Sequence, residues 1–239
     1  MNLGAAIFRV GNFVRVPYPH TQNLINSLCS SLQPMRTRIK ICGITCLEDA
    51  QFAVHCGVDA LGFMFFEESK RFIDVESARD ICQAMPPCLT KVGVFVNASK
   101  EQVHHAQQTC GLDTLQFHGE EGPDWCRQFD AETMKAFRVG DAETLESLDD
   151  YDVNAWLVDS YQPGERGGTG HSFQWNLLSA IRPYRKPLFL AGGLTPDNIQ
   201  KAIREVQPFG VDVSSGVELA PGRKCPDKVA SFVRKVQQA

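Results

Sequence analysis

Short apolar runs recur eight times along this chain, and segments with helical periodicity separate them. Runs of three to seven residues bounded by such segments are typical of buried strands, and strands that alternate with helices form parallel sheets. Eight strand–helix units within about 200 residues favour an α/β fold closed as a (β/α)8 TIM barrel over an open sheet. The runs lie at residues 39–42, 60–66, 92–96, 114–117, 134–139, 155–158, 188–191 and 211–213.

Helix-start signals support the same alternation. Thr45-Cys-Leu-Glu48 and Ser99-Lys-Glu-Gln102 both fit the capping box, in which a side chain and a backbone donor satisfy each other. Thr195-Pro196 stands ahead of an apolar stripe with helical spacing. After the first run the chain reads Cys42-Gly-Ile-Thr45, so the glycine fingerprint of dinucleotide-binding sheets is absent there. These signals favour the barrel.

Residue parity predicts which side chains enter the barrel. Residues two apart on a strand share a face, so Lys40 and Cys42 oppose Ile39 and Ile41. The polar members of each strand lie near its carboxyl end, where barrels of this class place their active sites. By the same alternation the inward set also contains Gln116, His118, Asp159, Asp212 and Ser214.

The first 35 residues differ from the rest of the chain. No acidic residue occurs before Glu48, and the segment is basic and rich in serine towards its end. The strand count is complete without this segment, so we expect residues 1–35 to be a disordered extension and residues 36–239 to form the catalytic barrel. A transit peptide, which is also basic and acid-poor, is the alternative.

Net charge, hydropathy and cysteine content limit the kinds of partner and the compartment that we expect for this protein. A net charge of −4, from 24 basic and 28 acidic residues, argues against a nucleic-acid partner. The apolar runs are far shorter than the roughly 18–20 residues of a membrane span, which argues against a membrane partner. Nine cysteines without paired CxxC spacing are typical of reduced thiols, and we therefore expect a cytoplasmic protein.

Three glycine-containing loops follow the sixth, seventh and eighth runs. They are Gly167-Gly168-Thr169-Gly170, Gly192-Gly193-Leu194-Thr195 and Ser214-Ser215-Gly216. Glycine lets backbone N–H groups approach an anion closely, and the last two loops of a TIM barrel commonly bind phosphate. The sequence therefore predicts a phosphorylated small-molecule ligand.

Cys42 and Asp159 are the candidate acid–base pair. Cys42 ends the first run on the polar face beside Lys40, a cation that could lower the thiol pKa from about 8.5. Asp159 ends a buried strand, where an aspartate is costly unless it is paired or used. Position alone leaves open that Cys42 is a small core residue and that Asp159 caps the next loop.

Seven ordered blocks make the chain resemble the phosphoribosylanthranilate isomerase family, and the resemblance runs from about Arg36 to the C-terminus. The blocks are Ile39-Lys-Ile-Cys-Gly-Ile-Thr45, Asp59-Ala-Leu-Gly-Phe63, Val92-Gly-Val-Phe-Val-Asn97, Gln116-Phe-His-Gly119, Leu157-Val-Asp-Ser160 with the glycine loop at 167–170, Ala191-Gly-Gly-Leu194 and Val211-Asp-Val-Ser-Ser-Gly-Val-Glu218.

The resemblance implies a TIM-barrel isomerase of tryptophan biosynthesis that needs no metal and no cofactor. Such an enzyme converts N-(5-phosphoribosyl)anthranilate into 1-(2-carboxyphenylamino)-1-deoxyribulose 5-phosphate, an Amadori rearrangement, and is a monomer or a homodimer. By resemblance Cys42 is the general base, Asp159 is the general acid, and Arg71 binds the anthranilate carboxylate. The family usually has proline where Lys70 stands. The implied substrate-binding set also contains Gly168, Gly170, Gly192, Gly193, Asp212, Ser214, Ser215 and Gly216.

Two other functions remain open on the residues alone. Another phosphosugar isomerase or epimerase would share the phosphate loops but use a different acid–base pair. A non-catalytic protein could bind a phosphorylated ligand, or use Cys42, Cys46 and Cys56 as a metal or redox site. Cys42 and Cys46 lie on either side of a strand–helix junction and no histidine completes a tetrahedral spacing, so this is a weak metal pattern.

Overall fold

The structure, a computed structural model, describes residues 36–139, 145–159, 175–178 and 182–239. The chain divides into units 1–35 and 36–239, and every described residue lies in the second. The interpretations of residues 1–35 and of the glycine loop at 167–170 therefore lie outside the described residues.

Eight parallel strands pair in chain order, and β8 pairs with β1, so the sheet is a closed barrel. The predicted TIM-barrel fold is confirmed. Only the fourth and seventh runs match the strand bounds at both ends, and the others differ by one or two residues, for example β2, which ends at Met64, and β3, which begins at Thr90. The strands are β1 (Arg38–Cys42), β2 (Ala60–Met64), β3 (Thr90–Phe95), β4 (Thr114–Phe117), β5 (Glu132–Arg138), β6 (Ala155–Asp159), β7 (Leu188–Ala191) and β8 (Gly210–Val213).

Helices cover the outside of the barrel, and residues 175–178 are also helical. A two-stranded antiparallel hairpin follows β8, formed by β9 (Glu218–Ala220) and β10 (Arg223–Lys224). Across the described ranges, every helix is too short or too polar to cross a membrane. The helices are α1 (Leu47–His55), α2 (Val75–Gln83), α3 (Lys100–Cys110), α4 (Pro123–Cys126), α5 (Ile199–Val206) and α6 (Pro226–Gln237).

One of the two predicted capping boxes is present. The Gln102 backbone N–H donates to Ser99 Oγ at 3.2 Å, and Ser99 N–H donates to Gln102 Oε1 at 2.8 Å. The prediction at Thr45 is wrong, because α1 begins after Cys46 without a side-chain cap. Thr45 Oγ1 instead donates to the Gly222 carbonyl at 2.5 Å. A tertiary contact to the hairpin has replaced the local cap.

Side-chain alternation sorts the strands into two faces, as predicted. Ile39, Ile41, Trp156 and Val158 belong to the large core between the barrel and its helices. A second, smaller cluster lies inside the barrel, where Leu157 packs with residues of β5 and β7. The polar residues of β1, β4, β6 and β8 share this inner side and open towards the carboxyl ends of the strands.

The amino end of the barrel is tied at Asp59. Its carboxylate accepts hydrogen bonds from Arg36 at 2.7 and 2.9 Å, from Arg38 at 2.8 Å and from the Ile39 backbone at 2.8 Å. These bonds lower the pKa of Asp59 even though its partial burial opposes ionisation. Arg36, the first residue that the structure describes, is therefore already joined to the barrel through Asp59.

We expect a chain truncated to residues 35–239 to fold and to keep its activity, because all eight strands and Arg36 are retained. Its melting temperature should lie within about 4 °C of the full-length value, a difference near 1 kcal/mol for a domain of this size. Calorimetry of both proteins measures this. Insolubility, or a much lower melting temperature, would show that residues 1–34 stabilise the barrel.

Candidate active site

A cleft of about 470 Å³ lies at the carboxyl ends of the barrel strands. The structure brings eight of the eleven predicted site residues together in its walls. Gly168 and Gly170 lie outside the described residues, and Gly216 packs beneath the wall instead of lining it. The eight are Cys42, Arg71, Asp159, Gly192, Gly193, Asp212, Ser214 and Ser215.

A buried ion pair crosses the seam between β1 and β8. Lys40 is the register partner of Asp212, and Lys40 Nζ lies 2.9 Å from Asp212 Oδ1. The Lys40 side chain is 0% exposed. Burial alone would lower the pKa of Lys40, but the charges of Asp212 and Cys42 outweigh it and raise that pKa. The ion pair with Asp212 therefore favours the charged form of Lys40 at the base of the cleft.

Cys42 is the last residue of β1, and its thiol is buried in the cleft wall. Burial raises the pKa of the Cys42 thiol above its ordinary value, although the charges of Lys40 and Lys224 act in the opposite direction. The expected effect of Lys40 is present, but desolvation exceeds it. A Cβ at Gly62 would lie 2.8 Å from Cys42 Sγ and 3.1 Å from Lys40 Nζ, so only glycine leaves room for this pair.

Asp159 faces His118 across the cleft. Their closest atoms, His118 Nε2 and Asp159 Oδ2, are 3.8 Å apart, and both side chains are about one-fifth exposed. On the other side of the His118 ring, Nδ1 lies 3.0 Å from Gln116 Nε2. Burial lowers the pKa of His118, with Asp159 and Asp212 acting against it. Burial thus favours the neutral form of the imidazole beside the candidate acid.

Neither His118 nor Gln116 was assigned a site role from the sequence. Residue parity did place both on the inner face, and that signal could have found them. The Oε1 atom of Gln116 is buried and has no hydrogen-bond partner among the described residues. Gln116 and His118 both line the cleft, beside the candidate acid.

Arg71 lies in the loop after β2 and enters the cleft from the side. Its backbone N–H donates to Ser69 Oγ at 3.1 Å, and Phe72 N–H donates to the Ser69 carbonyl at 3.0 Å. The loop therefore forms a hydrogen-bonded turn with Lys70 at its tip. The guanidinium makes a fork to Glu218, with Nε–Oε1 at 2.8 Å and Nη2–Oε2 at 2.7 Å.

The loops after β7 and β8 are fixed by short contacts. Gly192 and Gly193 have φ values of 84° and 60°, a backbone region that side chains rarely adopt. Asn198 Nδ2 donates to the Gly193 carbonyl at 2.9 Å and braces the first loop. A Cβ at Gly216 would lie 1.8 Å from the Leu194 carbonyl oxygen, so the two loops touch there. This contact makes one continuous wall of backbone and small residues.

The metal-site alternative receives no support within the described ranges. There, no group of three or more His, Cys, Asp or Glu side chains could hold a metal ion. Cys42 is buried in the cleft wall, whereas Cys46 precedes α1 and Cys56 follows it.

The chain is similar to phosphoribosylanthranilate isomerases in sequence and in structure. A family model described as N-(5'phosphoribosyl)anthranilate (PRA) isomerase matches residues 39–235. The N-(5'-phosphoribosyl)anthranilate isomerase of Citrifermentans bemidjiense is 50% identical over 202 residues, which are 84% of this chain and 98% of that protein. The crystal structure of phosphoribosyl anthranilate isomerase from Thermotoga maritima matches with a TM-score of 0.80 at 41% identity, over 85% of this chain and 100% of that one.

A second crystal structure shows phosphoribosyl anthranilate isomerase in complex with reduced 1-(o-carboxyphenylamino)-1-deoxyribulose 5-phosphate. It matches with a TM-score of 0.77 at 38% identity, over 85% of this chain and 100% of that chain. The matched region begins in β1, ends in α6 and includes the whole described cleft. The chain belongs to the N-(5'-phosphoribosyl)anthranilate isomerase family.

Proposed function

We propose that this protein catalyses the Amadori rearrangement of N-(5-phosphoribosyl)anthranilate to 1-(2-carboxyphenylamino)-1-deoxyribulose 5-phosphate, a step of tryptophan biosynthesis. The observation that carries the proposal is the meeting of Cys42, Asp159 and Arg71 in one cleft, next to the loops after β7 and β8. The test is the loss of substrate fluorescence when the purified protein is added to phosphoribosylanthranilate.

The cleft offers separate places for the two ends of such a substrate. The loops at Gly192–Gly193 and Ser214–Ser215 present small residues at its wall, where a phosphate is bound by backbone N–H groups. Arg71 lines the same cleft next to Gly43 and suits the anthranilate carboxylate, because guanidinium groups bind carboxylates through paired hydrogen bonds. The ribose carbons then lie between Cys42 and Asp159.

The chemistry follows from these positions. Asp159 gives its proton to the furanose ring oxygen, the C1–O bond breaks, and the ring opens to a protonated Schiff base. The iminium makes the C2 proton acidic, and Cys42 removes that proton to give an enolamine, which tautomerises to the ketone. Asp159 and Cys42 thus each carry one proton transfer, the first in ring opening and the second at C2.

Free thiols support a reducing compartment. None of the eight cysteines among the described residues forms a disulfide with another of them. Because disulfides are rare in the cytosol, this pattern supports a cytoplasmic location.

Replacement of either acid–base residue should abolish most turnover. We expect Cys42→Ala and Asp159→Asn each to lower kcat by about 10²–10⁴-fold, the usual contribution of a general acid or base. Cys46→Ala, a cysteine outside the cleft wall, is the matched control and should keep near-normal turnover. Steady-state kinetics measures this. If Cys42→Ala retained most of its kcat, the thiol would not be the base.

Arg71→Lys should weaken substrate binding and leave turnover nearly unchanged. A lysine keeps the charge but cannot form the fork, so we expect KM to rise about tenfold while kcat changes by less than about threefold. Arg79→Lys, on α2 and paired with Glu76 and Asp80, is the control and should leave both constants unchanged. A loss confined to kcat would contradict a binding role for Arg71.

Gly193 allows a charge test of the phosphate loop. No atom lies within 4 Å of a Cβ built there, and Asn and Asp tolerate positive φ better than other residues. We expect Gly193→Asp to bind the reduced product analogue at least about tenfold more weakly than Gly193→Asn, because only the first brings a negative charge towards the phosphate. Titration calorimetry compares them. Equal affinities would remove this loop from the phosphate site.

A further inference from the structure

Glu218, the first residue of β9, is a buried carboxylate that two cations share. One oxygen accepts from Arg71 Nε at 2.8 Å and from Lys224 Nζ at 2.8 Å, and the other accepts from Arg71 Nη2 at 2.7 Å. Burial favours the neutral acid, but the hydrogen bonds from Arg71 and Lys224 hold the pKa of Glu218 below its usual value. Glu218 is therefore an anion that fixes the direction of the Arg71 fork.

Lys224 connects the same carboxylate to the strand that carries Cys42. Its Nζ donates to the Cys42 carbonyl oxygen at 2.6 Å as well as to Glu218, and its side chain is only 2% exposed. Its backbone N–H donates to Asp49 Oδ2 on α1 at 2.7 Å. Desolvation lowers the pKa of Lys224, although the charge of Glu218 opposes this. The ammonium thus has two partners at the end of β1, and the backbone of Lys224 is fixed by the third contact.

These contacts connect Arg71, the proposed substrate-binding residue, to Cys42, the proposed general base. Arg71, Glu218, Lys224 and Cys42 form one chain of hydrogen bonds, and the chain crosses from the loop after β2 to β10 and back to β1. No residue of this connection other than Arg71 and Cys42 has a role in the proposed reaction. Two buried charges placed between a binding group and a reacting group are costly unless they are used or fully paired.

We propose that Glu218 and Lys224 are positioning residues for the reaction: Glu218 orients Arg71 for the substrate carboxylate, and Lys224 holds the Cys42 backbone and supplies positive charge to the thiolate. The inference rests on the proposed function for its catalytic consequence. Neither residue lines the cleft, so each acts through its neighbour.

The charges that face Cys42 come from four elements. Lys40 lies on β1, Asp212 on β8, Lys224 on β10 and Arg71 in the loop after β2. Removal of Lys224 therefore leaves Lys40, partly neutralised by Asp212, as the nearest buried ammonium. The thiol should then titrate at a higher pH, because one of the three cations near the thiolate is gone.

The first experiment separates binding from turnover in the full-length enzyme. Glu218→Gln keeps the shape but can accept at one oxygen only, so we expect KM to rise at least about fivefold with kcat within about threefold. Lys224→Met should lower kcat at least about tenfold, and Lys224→Arg should restore most of it. Lys228→Met is the control, since Lys228 is exposed and, among the described residues, donates to the Glu218 backbone carbonyl and not to its carboxylate. An unchanged KM in Glu218→Gln would overturn the role of Glu218.

The second experiment needs no substrate and measures the thiol directly. Iodoacetamide labelling of Cys42 is followed against pH by peptide mass spectrometry, which separates Cys42 from the other cysteines. We expect the midpoint to move upward by about 0.5–1 pH unit in Lys224→Met, and to stay the same or move downward in Glu218→Gln. Lys228→Met should match the wild type. Shifts in the same direction for both variants would indicate a merely structural role and overturn the inference.

The two experiments distinguish this inference from the proposed function. If the wild type fails to convert phosphoribosylanthranilate, the proposed function fails, and the labelling series still tests the effect of Lys224 on the thiol. If Lys224→Met does not fold, Lys224→Gln and Lys224→Arg replace it, and Gln should shift the midpoint upward relative to Arg. Equal midpoints for these two would overturn the role of Lys224.

Discussion

The Lys40–Asp212 pair at the barrel seam is the interaction on which the site depends. A parallel barrel closes only if β8 meets β1 in one register, and a slip of a single residue would turn every inward side chain outward. In the observed register the two charges are direct partners inside the barrel, 2.9 Å apart. A slip would leave a buried ammonium without its carboxylate, at a cost of several kcal/mol. The same register brings Cys42, the last residue of β1, and Ser214, the residue after β8, into the wall of one cleft. The pair thus links barrel closure to the geometry of the reacting groups.

Cations concentrate around Cys42 although the whole chain carries a net charge of −4. Three of them, Lys40, Arg71 and Lys224, stand near the thiol, and each is paired with Asp212 or Glu218. Positive charge close to a buried thiol favours the thiolate, and it attracts ligands with phosphate and carboxylate groups. Burial of Cys42 works against ionisation, so the cations around it decide how much thiolate is available.

Local patterns predicted the fold, whereas long-range contacts set the site. The eight apolar runs and the two-residue alternation depend only on neighbouring residues, and they placed Lys40, Cys42 and Asp159 on the inner face. The Thr45 cap failed because its hydroxyl bonds a residue 177 positions away. The Arg71–Glu218 fork spans 147 positions, and the Lys224–Cys42 bond spans 182. No spacing rule relates such partners, so the sequence could not reveal which cations would meet which carboxylates. Nor could it reveal that burial would raise the pKa of Cys42 more than the nearby cations lower it.

The contact between Gly216 and the Leu194 carbonyl bears on how this wall can evolve. Any side chain at position 216 would strike backbone, which cannot rotate away as a flexible side chain can. Substitution of Gly216 is therefore not a route by which this wall could adapt to a different ligand. Ser215 is exposed at the rim and is free to vary, whereas Gly193 has open space around it but a positive φ that restricts it to glycine and a few residues such as Asn and Asp. We therefore expect related sequences with new ligand preferences to differ first at position 215, with glycine retained at position 216.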